Sequence, residues 1–200
     1  SHPRRPGGGP IRKLAAAILF GGGLFLIATA LYIPAKAALA QHLMQRAWER
    51  QEATNAPQRP WPWADFTPAA RLTFPTQNRS VLALTDASGE SLAFGPTLMA
   101  ASATPGERGV AVFAAHRDTH FSFLENLDPG EQVSVETPSG LQTYTVTGSQ
   151  VVAWNASGVA PHDNGPPRIA LVTCWPLDAQ FRGPLRYIVW ATLDEPAPIS

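Results

Sequence analysis

Over residues Arg168–Trp175 the chain runs Arg-Ile-Ala-Leu-Val-Thr-Cys-Trp. Ile169, Leu171 and Val172 are apolar and β-favouring, and Trp175-Pro176 ends the run abruptly. The stretch therefore predicts a buried strand that carries Cys174, the only cysteine of the chain, at its C-terminal end. A thiol where chain leaves a sheet sits where reactive groups are usually mounted. The competing reading is a small core hydrophobe, the common role of a free cysteine.

The chain has 200 residues, and behind a long front segment there is room for one domain of about 130–140 residues. That size buries enough surface to fold without disulfides, which a single cysteine cannot form internally. Fifteen basic and fifteen acidic residues balance, which argues against a nucleic-acid partner, since that demands a concentrated basic face. Twenty prolines and sixteen glycines are dispersed, as suits a loop-rich β-protein.

Residues 1–13 form a Gly/Pro-rich front that predicts disorder, and Ser1 is not taken as a native start. Arg12 and Lys13 then precede Leu14–Ile33, twenty residues without a charge and long enough to span a bilayer. Gly21-Gly22-Gly23 is tolerated there, and the run has no polar face to show to water. The cationic flank places the N-terminus in the cytoplasm and everything after Ile33 outside. Ala38-Leu39-Ala40 resembles a signal-peptide cleavage site, but Pro34 and Lys36 separate it from an apolar run longer than a typical signal core. The expectation is an uncleaved signal anchor over 14–33. Residues 34–63 then hold a juxtamembrane helix, about Ala37–Gln51, and a Pro-rich linker carrying Pro57, Pro60 and Pro62.

From Ala64 to Asp194 the pattern is short strands and turns, followed by a tail over 195–200. Strands are expected at Ala70–Phe74, Ser80–Leu84, Gly109–Ala115, Gln132–Glu136, Gln142–Val152, Arg168–Trp175 and Leu185–Leu193. A turn is read at Asp86–Gly89 and a hairpin across Pro138-Ser139-Gly140. One short helix is expected after the N-cap candidates Asp118 and Thr119, through Leu124. Seven or eight such strands argue for an all-β sandwich or barrel.

A thiol needs a base or a positive neighbour to become a nucleophile. Of five histidines, His2 and His42 lie outside the β-domain and His162 sits in a Pro/Asn/Gly loop. His116 follows a buried strand directly, as Cys174 ends one, so neighbouring strand ends can present imidazole and thiol together. His116 and His120 at a four-residue spacing raise metal binding, but no further ligands complete a set, and His120 is read as a structural neighbour. Asp118 and Asp163 are candidates to orient an imidazole. Acyl transfer also needs a donor for the developing oxyanion. Arg186, at the start of the last strand, is preferred to Arg182 in the loop before it.

These pieces resemble the sortases: Pro105-Gly106-Glu107, His116-Arg117-Asp118-Thr119, Leu127-Asp128-Pro129-Gly130-Glu131, Leu171-Val172-Thr173-Cys174 and Gly183-Pro184-Leu185-Arg186-Tyr187. Tyr32–Lys36, Trp61-Pro62-Trp63 and the Gly183–Tyr187 run look most like the sortases of Gram-negative proteobacteria. Two departures are Ala115, where the family commonly has Gly, and Ala170, where it has Thr. The resemblance implies an eight-stranded β-barrel with short helices behind one transmembrane helix. It also implies a cysteine transpeptidase with Cys174 as nucleophile, His116 as acid and base, and Arg186 holding the substrate backbone and oxyanion. The substrate would be a secreted or membrane protein bearing a sorting signal with a Thr-Gly-type bond, and the acceptor an amine of the cell envelope. The enzyme would sit in the inner membrane with its catalytic domain on the periplasmic side. No metal and no organic cofactor are implied. Two rivals are another cell-envelope Cys/His acyltransferase, such as an L,D-transpeptidase, and a non-catalytic membrane-tethered β-domain that binds an envelope protein.

Overall fold

A computed structural model describes residues 10–85, 91–156, 159, 164–178 and 183–194. The Asp86–Gly89 turn, His2, His162, Asp163, Arg182 and the two termini lie outside the described residues. The elements are α1 (Pro10–Thr54), β1 (Pro68–Phe74), β2 (Arg79–Thr85), β3 (Thr97–Leu98), β4 (Val110–Ala114), β5 (Gln132–Thr137), β6 (Gly140–Ala153), β7 (Arg168–Trp175) and β8 (Leu185–Leu193). The chain divides into two compact units, one ending at Gln41 and one beginning at His42.

The first unit is helical, and its apolar side chains from Leu14 to Leu39 are exposed, Leu19, Phe20 and Ile33 among them. An 18-residue window there averages a hydropathy of 2.3 with none of it buried, so the helix is long and apolar enough to cross a bilayer. α1 continues through Pro34 without a break, where the sequence reading separates an anchor from a second helix. Proline removes one backbone hydrogen bond and disfavours helix at the residue before it. The apolar helical pattern on both sides prevails.

In the second unit the strands close into a barrel in the order β1-β2-β3-β4-β7-β8-β6-β5. β1 alternates buried and half-buried residues along its length, the mark of a strand with one face in a core. Leu72, Phe74, Phe113, Tyr144, Ile169, Leu171 and Val189 fill the interior. β7 reads as a continuous apolar run because both of its faces are covered. Ile169 and Leu171 point into the barrel, while Ala170 joins Val110, Val112 and Ile188 in a second cluster packed by Val152 and Trp190. Gly106 holds a positive φ of 90° and donates its N–H to the buried Tyr144 hydroxyl at 2.7 Å. A Cβ there would crowd Gln142 as well as strain the backbone.

The end of α1 packs on this barrel. Met44 clusters with Phe66 and Leu84, Gln51 Nε2 donates to Pro68 O at 3.0 Å, and Arg71 lies over the Trp48 ring at 5.3 Å. The Pro-rich stretch after it is tied down at its far end by Trp61, edge-on to Phe66 and to Phe94. Aromatic burial of this kind outweighs the spacer tendency of the prolines.

Besides α1, two elements differ from the sequence reading. β3, two residues long, was not among the expected strands, yet it pairs with β2 in parallel and β4 antiparallel and so closes the barrel. The expected helix capped by Asp118 or Thr119 is instead a run of turns leading to a single 3-10 turn, Leu124–Asn126. Phe121, Phe123, Leu124 and Leu127 are all buried. Packing those side chains into the core, with Phe123 edge-on to Phe74, overrides the capping signal.

Candidate active site

β4 and β7 are parallel neighbours, with Val110 opposite Arg168 and Ala114 opposite Val172. His116 lies two residues past Ala114, and Cys174 two residues past Val172, so register alone brings them out at one height on adjacent strands. On the other side of β7, Cys174 and Arg186 are direct Cα partners in the antiparallel β7–β8 ladder. All three candidate side chains line one cleft of about 550 Å³. Imidazole, thiol and guanidinium therefore come from three consecutive strands of the sheet.

Cys174 and Arg186 are half-buried, and His116 is exposed. Arg186 Nη1 donates to Leu185 O at 2.8 Å and Gly183 O at 3.1 Å, which aims the guanidinium across the turn leading into β8. Trp175 stacks on Tyr187 with ring centroids 5.2 Å apart, stiffening the ladder directly beside Cys174. The Thr173 hydroxyl, buried, donates to Ala115 O at 2.8 Å and joins the β7 end to the β4 end. Asp118 also lines the cleft. Leu92, Arg117 and Gly183 line it too, and none of them was a candidate in the sequence. Leu92 comes from the segment before β3 and is brought to the thiol by closure of the barrel, whereas Gly183, in the turn before β8, is brought there by the β7–β8 pairing. No periodicity or motif marks Leu92, whereas Arg117 and Gly183 fall inside runs that carry the resemblance.

His120 is half-buried, and its imidazole is held below the ordinary histidine value of 6.5, first by burial and second by the charge of His116. A depressed folded value means that the unfolded chain binds more protons in the window just under 6.5. Stability from this group is present above that window and lost as pH falls through it. His120→Asn is expected to flatten the acid limb of a plot of thermal midpoint against pH between about 7.5 and 5. Parallel curves for the two proteins would show that His120 contributes nothing to that limb.

The fold and cleft define a class: a closed β-barrel with a thiol, an imidazole and a guanidinium at the ends of three adjacent strands. A model of the sortase domain matches residues 72–194, and the chain belongs to the sortase family. Sortase D of Bacillus subtilis (strain 168) is 28% identical over 86 residues, a match covering 43% of this chain and 43% of that protein. The chain thus matches under half the length of that relative. The barrel is similar to a Clostridium perfringens sortase D5 transpeptidase, with a TM-score of 0.64 at 17% identity, covering 79% of this chain and 99% of that one. It is also similar to sortase A from Corynebacterium diphtheriae, with a TM-score of 0.60 at 17% identity, over 82% and 87% of the two chains. At such identity the likeness is one of fold.

Proposed function

We propose that the protein is a membrane-anchored cysteine transpeptidase acting on a C-terminal sorting signal. The observation that carries this is the strand register that delivers His116, Cys174 and Arg186 to one cleft. Cys174 Sγ, as thiolate, attacks the carbonyl carbon of a Thr-Gly-type bond. The oxyanion of the tetrahedral intermediate lies against the Arg186 guanidinium, where preorganised positive charge lowers the barrier. His116 gives its proton to the departing amine, leaving a thioester on Cys174. An incoming amine then loses its proton to His116 as it attacks the thioester, and the thiolate leaves. Water in place of the amine gives hydrolysis.

In this reading α1 anchors the enzyme in the inner membrane, with Arg12 and Lys13 keeping the N-terminus cytoplasmic and the barrel on the periplasmic side. The substrate is a secreted or membrane protein with a sorting signal, and the acceptor an amine of the cell envelope. The proteobacterial affinity rests on Tyr32–Lys36, Trp61–Trp63 and Gly183–Tyr187 and belongs to the same proposal.

The test is mass spectrometry of the full chain in detergent, incubated with a Leu-Pro-Xaa-Thr-Gly-type peptide without an amine. The expected result is a thioacyl adduct on Cys174 that disappears when an amine is added, with ligated peptide in its place. Ligation with no adduct and an unmodified thiol would sink the mechanism.

A further inference from the structure

We propose that Arg117 and Thr173 are positioning residues that together set the separation of His116 and Cys174. This rests on reading those two as acid–base group and nucleophile. The sheet ladder between β4 and β7 ends at the Ala114–Val172 pair, below both reactive side chains. Beyond it the chain around His116 is bonded to the chain around Cys174 on both flanks. Before His116, Ala115 N donates to Val172 O at 3.1 Å, and Thr173 Oγ1 donates to Ala115 O at 2.8 Å. After His116, Arg117 Nη1 donates to Pro176 O at 3.0 Å. Each neighbour of His116 in sequence is thus tied to chain within two residues of Cys174.

The two ties differ in environment, and so in what they contribute. Thr173 is only 2% exposed, so its bond lies away from water and neither partner has a solvent alternative. Arg117 is half-buried along the cleft wall, and its bond is the outer one, made by a guanidinium. Without the inner tie, the Ala115 carbonyl loses its partner at the point where β4 leaves the sheet. Without the outer tie, the exposed His116 begins a stretch of turns whose next anchor is the buried Phe121, whose N–H donates to His116 O at 3.2 Å. Proton transfer and thiolate attack both depend on near-contact geometry, and a displacement of about 1 Å costs on the order of 10²-fold in rate. Both ties act through the backbone and neither group needs to touch substrate.

The experiment uses the full-length protein in detergent with the sorting-type peptide and an amine, in two pairs of variants. Arg117→Ala and Thr173→Val remove the donors; Arg117→Lys and Thr173→Ser keep one. The expected result for both deletions is a fall in kcat of roughly 10–100-fold with KM within about twofold, and recovery of most of the rate in the Lys and Ser variants. A second measurement needs no substrate: the rate at which iodoacetamide alkylates Cys174 should fall in Arg117→Ala and Thr173→Val and return in the conservative variants. Wild-type kcat in either deletion overturns the proposal for that residue. A loss confined to KM in Arg117→Ala overturns it too, because it would make Arg117 a substrate-binding group. Should Thr173→Val fail to fold, the half-exposed Arg117 pair decides. If wild-type protein shows no turnover, the transpeptidase reading fails separately, and the alkylation rates alone judge the positioning: equal rates in wild type and both deletions overturn it.

Discussion

Cys174→Ala is expected to lower kcat by on the order of 10⁴–10⁶-fold, the usual cost of deleting a covalent nucleophile. The thermal midpoint should move little. Cys174 is half-buried at the lip of a cleft rather than packed among the interior side chains, so removing Sγ opens no core cavity. Oxygen is a poor substitute, because an alcohol is intrinsically far harder to ionise than a thiol, so Cys174→Ser should be nearly as inactive. The measurement is peptide cleavage followed by chromatography, paired with thermal denaturation of the same samples. A variant that retains more than a few per cent of wild-type turnover would remove Cys174 from the mechanism. A large fall in midpoint would instead return the thiol to its other reading, a small core hydrophobe.

Arg186→Ala is the second large effect, a loss of roughly 10²–10³-fold in kcat/KM, the scale of one oxyanion donor. The pairing of Arg186 with Cys174 across β7 and β8 is what ties this guanidinium to the thiol. The hydrogen bonds from Nη1 to Gly183 O and Leu185 O restrict where it points. Arg186→Lys should recover part of the rate but not all of it, because an ammonium restores charge without the planar fork. The same bonds mean that Arg186→Ala also loosens the turn before β8, so alkylation of Cys174 is the control: it should be unaffected if the loss is oxyanion stabilisation. Arg182→Ala is the comparison. If that variant abolishes turnover and Arg186→Ala is harmless, the assignment passes to Arg182.

The strand carrying Cys174 was legible because its signal is local. β-branched and aliphatic residues over eight positions, stopped by Trp175-Pro176, suffice to place β7 at Arg168–Trp175, the boundaries of the observed strand. The same holds for β8, expected and found at Leu185–Leu193, and for the long apolar helix. The segment after His116 misled for the opposite reason. Asp118 and Thr119 are good caps in isolation, but tertiary packing of the buried residues behind them overrides that local preference. β3 left no trace in the sequence because two residues carry no periodicity.

Local sequence signals alone specified every described strand but β3, the anchor-length helix and a short set of chemical candidates. Only the tertiary structure decided that β4 and β7 lie side by side in parallel, that Cys174 faces Arg186 across a ladder, and that Arg117 and Leu92 share the cleft. The physical reason is range. Strand formation depends on residues a few positions apart, whereas pairing and register depend on side chains meeting across long loops, here from Ala114 to Val172. That register is invisible in either strand alone, and it brings the thiol and the imidazole to the same level.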